Sequence, residues 1–255
     1  MIELKNQELF RFTEEGHIHE AFINGEWTKV PGCTSISGLF PDDGWKFAWP
    51  VKLMEEKALA GFKEYFISNS SDLFEVNDTI KNILKKAKNA WREKRDKASD
   101  KGKIAHQHIC EFATNGTIPV IADEEVKNSF DEFLKWEAQY KPKHLACEIQ
   151  VGSLKNRCAG ILDDLSLISG KVTLVDYKTS ESIKDDYAIQ LAGLMICLEE
   201  QGVAVEQRAI LHLPKKGQFE YRVIESDLSF EKEAFLAGVE FYRYKNLFSA
   251  RCKND

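Results

Sequence analysis

Short hydrophobic runs separated by turn residues alternate with longer amphipathic segments along most of this chain. From residue 100 onward, the pattern predicts helices over 100–115, 123–140 and 184–201, and strands over 144–152, 157–168, 171–179, 206–213 and 218–224. Gly202 is expected to end the third of these helices. Ser226 is expected to cap a terminal helix that runs to about residue 248. This order predicts an α/β core in which a three-stranded meander is flanked by helices.

The first 99 residues have a different pattern. Asn24-Gly25 between two apolar runs predicts a type I′ hairpin over 21–30, and residues 51–67 and 79–98 predict helices. An aromatic segment that precedes the first helix, with Trp45, Phe47 and Trp49, would either pack this region or stack on nucleic-acid bases. Because no Gly-, Ser- or Pro-rich linker divides the chain, we expect a mainly helical lobe over 1–99 that wraps onto a core over 100–255.

The turn between two of the predicted strands fixes the position of two acids. Ser169-Gly170 has the length of a tight two-residue hairpin turn, and the resulting register places Asp163 directly opposite Asp176. Lys178 shares their face, because residues two apart on a strand point the same way. The opposite face of this hairpin, which includes Asp164, is more polar.

Two carboxylates that face each other on the core side of a sheet repel, and their burial without a partner is costly. A bound divalent cation removes both penalties, and carboxylate oxygens suit Mg²⁺ or Mn²⁺. The alternative is a structural ion pair between one of the acids and Lys178. The hairpin therefore predicts either a metal site or an ion pair.

Other residues complete a series of motifs in chain order. They are Gly102 to His106, Glu148 to Val151, Gly160 to Asp163, Asp176 to Lys178, and Gln190. Over about residues 100–213 the chain resembles the RecB-like branch of the PD-(D/E)XK nucleases, which includes phage and mitochondrial-type exonucleases. The motifs of that family are G-x-x-H, here one residue longer, E-x-x-V, G-x-x-D, D-x-K and Q-x-x-x-Y. Lys103 and Leu194 depart from the family pattern, which has Thr and Tyr at these positions.

The resemblance implies a restriction-endonuclease-like core with a mixed central sheet, and a role for each motif. The implied ligands of one or two Mg²⁺ or Mn²⁺ ions are His106, Asp163, Asp176 and the backbone carbonyl of Tyr177. Glu148 would support these ligands or bind a second ion. Lys178 would orient the attacking water and offset charge in the transition state. Gln190 would contact DNA or position the site.

Charge is distributed unevenly along the chain. The formal net charge is −6, yet residues 81–103 contain ten basic and three acidic side chains and carry +7. A basic strip next to an acidic metal site suits a partner that is rich in phosphate. The candidate DNA contacts are Lys85, Lys86, Lys88, Arg92 and Lys103 in this strip, together with Tyr187 and Gln190. The alternative for the strip is a solvated helix face.

The composition bears on where in the cell the protein is expected. The sequence has no apolar run of membrane-spanning length, and Met1 to Lys5 do not resemble a signal peptide. The six cysteines are scattered without a C-x-x-C pair, which indicates reduced thiols and argues against the iron–sulfur cluster of CRISPR-associated relatives. We expect a cytoplasmic protein of a bacterial or phage-infected cell, neither secreted nor bound to a membrane.

These features predict a metal-dependent DNA exonuclease that acts in phage or cellular recombination, repair or replication. Its substrate would be linear DNA, single- or double-stranded, and a recombination or single-strand-binding protein is a further candidate partner. An exonuclease is favoured because the resemblance to RecB-like and phage recombination nucleases implies one, and because no separate recognition domain is visible. The alternatives are a structure-specific endonuclease that cuts flaps or junctions, and a non-catalytic DNA-binding module with a vestigial site.

Overall fold

The structure is a computed structural model that describes residues 4–40, 45–68 and 73–251. The chain forms two compact units, one made of Met1–Phe40 and Ile104–Asp255, the other of Pro41–Lys103. The side chains of the predicted aromatic segment at residues 45–49 lie outside the described part of the chain.

The larger unit contains a small antiparallel sheet of three strands: β1 (Phe10–Thr13), β2 (Ile18–Ile23) and β3 (Glu26–Val30). Asn24 and Gly25 connect β2 to β3 with φ angles of 54° and 87°. Positive φ at both turn positions is the signature of a type I′ turn, so the predicted hairpin is confirmed. The first strand was not predicted.

The second sheet of this unit has five strands in the order β4-β5-β6-β7-β8. They are β4 (Lys143–Ser153), β5 (Cys158–Ile168), β6 (Lys171–Lys178), β7 (Gln207–His212) and β8 (Glu220–Val223). The first three strands form the predicted antiparallel meander, and β7 and β8 extend it. Only β6 and β7 are parallel, and α5 (Asp186–Glu200) forms the crossover that a parallel pair requires. The sheet is therefore mixed, as predicted.

This unit also contains the helices α1 (Cys33–Ser37), α4 (Glu124–Tyr140) and α6 (Leu228–Arg251). Gly202 follows α5 with a φ of 86°, which confirms it as the residue that ends this helix. The predicted cap of α6 is wrong by one residue. Asp227, not Ser226, accepts hydrogen bonds from the backbone N–H groups of Ser229 and Phe230, because the helix begins at Leu228.

Helices cover both faces of the five-stranded sheet. On one face, Leu165 and Leu174 pack in a cluster with residues of α5 and α6, including Phe235. On the other face, Tyr177 packs with aromatic residues of α4, including Trp136. The second face is the one that the sequence predicted to be more polar. Its side chains Asp164, Ser166 and Thr173 are nevertheless buried.

Residues 1–40 belong with the core and not with a separate lobe over 1–99. The backbone N–H of Ala159 donates to the carbonyl of Pro31 at 3.1 Å, and Ile36 is fully buried in the larger core cluster. Phe10 lies so close to Gly152 that a Cβ there would be 2.2 Å from its ring. The predicted boundary at residue 99 fails because this segment buries apolar side chains against β4 and β5, a contact that local sequence pattern does not show.

The described residues of the smaller unit are helical. The long helix α3 (Leu73–Asn115) replaces the two helices predicted over 79–98 and 100–115, and its last residues belong to the larger unit. The preceding helix, α2 (Trp45–Ser68), begins before the predicted residue 51 and includes Pro50. A proline in the second helical turn removes only one backbone hydrogen bond, so it does not prevent this earlier start. Among the described residues, no helix is both long and apolar enough to cross a membrane.

Candidate metal centre

Three carboxylates lie at one level of the meander. The register of β5 and β6 pairs Asp164 with Val175, so the next position places Asp163 opposite Asp176, as the turn predicted. The register of β4 and β5 likewise places Glu148 opposite Asp163. The middle strand therefore carries an acid between two other acids on its neighbours.

The backbone at Glu148 is unusual for a strand. Its φ is 50°, in the left-handed region that residues other than glycine seldom occupy. Such a conformation costs about 1 kcal/mol or more and persists where the surrounding structure enforces it, often at functional sites. The ladder pairs on both sides of Glu148 remain formed, so the deviation is confined to this residue.

An imidazole completes the group of acids. His106 is on α3, and its Nδ1 lies 3.3 Å from Oε1 of Glu148 and 3.5 Å from Oδ1 of Asp163. The His106 ring also meets the ring of Tyr177 edge-on, with centroids 5.8 Å apart. His106, Glu148 and Asp163 thus offer one nitrogen and two oxygens that all lie within 4.8 Å of one another.

This donor set fits a divalent cation. Two ligands of one Mg²⁺ ion, each about 2.1 Å from it, are at most about 4.2 Å apart, so small side-chain shifts would close the group around an ion. Carboxylate oxygens suit Mg²⁺ and Mn²⁺, and an imidazole nitrogen is a common ligand of the later transition metals. His106, Glu148 and Asp163 are therefore the candidate metal centre of the described residues.

Hydrogen bonding orients Asp163 within this centre. Its Oδ2 accepts a hydrogen bond from the backbone N–H of Tyr177 at 2.7 Å, which leaves Oδ1 facing His106. Burial raises the pKa of Asp163, but the neighbouring His106 and Lys178 outweigh it, so the net pKa lies below the usual value. Asp163 is therefore held as a carboxylate, the form in which it binds a metal.

Asp176 has different partners. Its Oδ2 lies 2.6 Å from Nζ of Lys178, and its Oδ1 accepts from Nε2 of Gln190 at 3.1 Å. Nζ of Lys178 also donates to Oε1 of Gln190 at 3.2 Å, which closes a triangle of three side chains. The hairpin predicted either a metal site or an ion pair. The structure contains a candidate metal centre at Asp163 and an ion pair at Asp176.

The pKa values of His106, Asp176 and Lys178 are also shifted. Burial lowers the pKa of His106, but the carboxylates of Asp163 and Glu148 outweigh it and raise this pKa to about 10. Burial raises the pKa of Asp176 to about 6, although the Lys178 ammonium opposes that rise. Burial lowers the pKa of Lys178, but the two aspartates prevail and raise it. Mutual pairing therefore keeps Lys178 charged in spite of its burial.

Close packing explains the glycine that precedes Asp163 by three residues. A Cβ at Gly160 would lie 2.7 Å from Cδ2 of Leu194 and 3.1 Å from Sγ of Cys33. Leu194, which stands where the nuclease pattern has tyrosine, is a residue of α5 and is buried in the core cluster. Leucine in place of tyrosine at position 194 therefore packs α5 closely against β5.

The predicted DNA-contacting residues fall into two groups. The basic ones, Lys85, Lys86, Lys88, Arg92 and Lys103, are exposed side chains of α3 in the smaller unit. Gln190 is buried beside Asp176, and Tyr187 is half-buried on the same helix, α5. Gln190 and Tyr187 both contact Lys178, the predicted catalytic lysine, within the larger unit.

A buried polar network on the opposite face of β5 was missed from the sequence. Nδ1 of His144 lies 2.9 Å from Oδ1 of Asp164, and its Nε2 lies 3.1 Å from Oε2 of Glu137 on α4. The hydroxyl of Ser166 donates to Oδ2 of Asp164 at 2.6 Å. Burial lowers the pKa of His144, but the acids outweigh it and raise this pKa to about 10. The consecutive acids Asp163 and Asp164 were the available signal, because adjacent strand residues point to opposite faces.

Comparisons with known proteins give structural neighbours but no family. No family model matches the chain, and no curated protein matches it. An alkaline exonuclease from Laribacter hongkongensis is 14% identical, with a TM-score of 0.34, over 59% of this chain and 86% of that one. Its complex with dAMP matches at 15% identity and a TM-score of 0.33, over the same shares of both chains. A phage-related exonuclease from Haemophilus somnus 129PT is 12% identical, with a TM-score of 0.34, over 58% of this chain and 83% of that one. At TM-scores this low, the function has to be inferred from the side chains of the site.

Proposed function

We propose that this protein is a metal-dependent deoxyribonuclease of the PD-(D/E)XK type. The observation that supports this proposal is the convergence of His106, Glu148 and Asp163 within 4.8 Å, next to the paired Asp176 and Lys178. Carboxylates and an imidazole beside a buried lysine are suited to phosphodiester hydrolysis, which needs both a divalent cation and a positioned cationic group.

In this proposal His106, Glu148 and Asp163 hold Mg²⁺ or Mn²⁺ in the arrangement described above. When bound, such an ion polarises a phosphate oxygen and stabilises negative charge that develops during hydrolysis. Tyr177 orients Asp163 through its backbone N–H. We retain Asp176 and the carbonyl of Tyr177 as further proposed ligands, with Asp176 held in place by Lys178 and Gln190.

Lys178 has the role of positioning the attacking water and offsetting charge on the phosphate. Its side chain is 16% exposed, so the ammonium is only partly hydrated and its charge is screened less than at the surface. Gln190 holds this ammonium and the carboxylate of Asp176 at once. The three side chains thus form a preorganised group, and preorganised charge is the main source of electrostatic catalysis.

The proposed substrate is DNA with a free end, within recombination, repair or replication. The preference for an exonuclease rests on the motif resemblance to phage and mitochondrial-type enzymes. The basic strip over 81–103 is proposed to hold the phosphate backbone. It carries a net charge of +7, although the whole chain carries −6, and basic side chains attract phosphates. A recombination or single-strand-binding protein is the proposed partner in the cell.

Digestion of linear and covalently closed circular DNA tests this proposal. Single- and double-stranded substrates with an end label are incubated with Mg²⁺, Mn²⁺ or EDTA. Loss of linear DNA with the circles intact, only when metal is present, is the expected result, and the released label gives the polarity. Cutting of circles would replace the exonuclease with a structure-specific endonuclease. No cleavage with either metal would favour a DNA-binding module.

The basic strip makes a separate prediction. Replacing Lys85, Lys86 and Lys88 by glutamine should weaken DNA binding and reduce the slope of log K against log salt by about two to three units, because each lost phosphate contact releases one counterion fewer. Fluorescence anisotropy over a salt series, in EDTA, measures this slope. Glutamine at Lys52, Lys57 and Lys63, three exposed lysines of α2, is the matched control. An unchanged slope in the first variant would make the strip a solvated helix face.

A further inference from the structure

The ammonium of Lys178 is restrained from two sides. On one side it meets Oδ2 of Asp176 at 2.6 Å and Oε1 of Gln190 at 3.2 Å. Both partners are buried, and Gln190 is also bound to Asp176, so these contacts pull Nζ toward β6 and α5. Nothing in this pair of contacts limits movement of the long side chain in the other direction.

An aromatic ring occupies that other direction. Nζ of Lys178 lies 4.6 Å from the centroid of the Tyr187 ring, within the range of a cation–π contact. Tyr187 and Gln190 are three residues apart on α5, so they lie on the same side of this helix. One helix therefore presents a ring face and an amide to the same ammonium.

The ring is itself held in place. The hydroxyl of Tyr187 donates to Oγ of Ser180 at 3.1 Å, and the ring packs against the main core cluster. The carbonyl of Ser180 accepts from Nε2 of His212 at 2.7 Å, at the end of β7. Because β7 is paired with β6, this chain of contacts returns to the strand that carries Lys178. Because its hydroxyl is hydrogen-bonded and the ring packs against the core, the Tyr187 ring can act as a rigid support.

We propose that Tyr187 is a positioning residue, whose ring fixes the Lys178 ammonium against Asp176. Its catalytic consequence rests on the proposed nuclease function, whereas the contact itself does not. The ring face is occupied by Nζ, so this assignment replaces the predicted DNA contact of Tyr187. Asp176, Gln190 and Tyr187, with Ser180 behind the tyrosine, together support the Lys178 ammonium.

Nuclear magnetic resonance of the protein labelled with ¹³C,¹⁵N-lysine tests the contact without any activity. Protons on Cε of Lys178 should be shifted upfield by the ring current, and their signal is identified by its loss in Lys178→Arg. The upfield shift should persist in Tyr187→Phe, which keeps the ring, and should disappear in Tyr187→Leu. A Lys178 signal at the position of an ordinary lysine in the unaltered protein would overturn the proposal, and this result needs no variant to fold.

Turnover and DNA affinity then separate positioning from DNA contact. At saturating linear DNA, kcat of Tyr187→Leu should fall about tenfold below kcat of Tyr187→Phe, as loss of a partly desolvated cation–π contact allows. DNA affinity in EDTA should be equal in the two variants. A weaker affinity in Tyr187→Leu with an unchanged kcat would overturn the proposal in favour of a DNA contact. If neither the unaltered protein nor any variant cleaves DNA, the proposed nuclease function is wrong. The resonance experiment still decides whether the Tyr187 ring positions the Lys178 ammonium.

Discussion

Asp163→Asn should reduce DNA cleavage by at least about a thousandfold, since several kcal/mol of transition-state stabilisation depend on a correctly held ion. Asp163 is opposite both Glu148 and Asp176, and its Oδ1 faces His106. Asparagine removes the negative charge from the centre of this group. Its amide oxygen can still accept the hydrogen bond from the backbone N–H of Tyr177, so the fold should be retained.

Initial rates on end-labelled linear DNA with Mn²⁺ measure this effect, and calorimetric titration with Mn²⁺ should show weaker metal binding by the same variant. The matched control is Glu220→Gln, which removes one negative charge from an exposed ion pair with Arg222 at the far edge of the sheet. Such a surface pair contributes little to stability, so this control should behave as the unaltered protein. Normal cleavage by Asp163→Asn would disprove the assignment of the metal centre.

Lys178→Met should lower kcat by about a hundredfold or more while Mn²⁺ affinity is largely retained, because in the proposed mechanism the ammonium would stabilise charge in the transition state and would not be a ligand. Methionine preserves much of the aliphatic volume but cannot pair with Asp176 or donate to Gln190. Single-turnover rates and calorimetry separate the two effects. Loss of metal affinity in this variant would make the lysine a structural part of the centre.

The effect of Lys178→Met on the stability of the fold needs a separate control. Removing one partner of a buried ion pair leaves the other charge unpaired and costs about 3–5 kcal/mol. Lys178→Met alone should therefore melt at a lower temperature. Adding Asp176→Asn neutralises the stranded acid and should recover most of this loss, without recovering turnover. A double variant that regains cleavage would contradict the role given to the lysine.

Local sequence was sufficient wherever a turn fixed the geometry. The residues Ser169 and Gly170 have φ angles of 51° and 82°, and they set the register of the meander that aligns Asp163 with Asp176. Asn24-Gly25 did the same for the small sheet. In both turns a two-residue loop has few conformations, so the sequence there determines the pairing of the strands.

The sequence did not predict the features of the fold and the site that depend on tertiary contacts. The resemblance implied His106, Asp163, Asp176 and the Tyr177 carbonyl as ligands, with Glu148 as their support or as a ligand of a second ion. In the structure, Glu148 lies with His106 and Asp163. This outcome depends on the left-handed backbone of Glu148 and on the pairing of Asp176 with Lys178, and neither follows from periodicity. The segment over 1–40 was assigned to the wrong unit for a similar reason, because only the folded chain brings it onto β4 and β5.

The buried network around Asp164 bears on the fidelity of folding. A slip of β5 by one residue would exchange Asp163 and Asp164 between the two faces of the sheet. Asp164 would lose His144 and Ser166, and the acid that replaced it would not reproduce their paired geometry. An unpaired carboxylate beneath α4 would destabilise the slipped form by several kcal/mol. The network thus favours the native register, in which Asp163 lies on the face of the candidate metal centre.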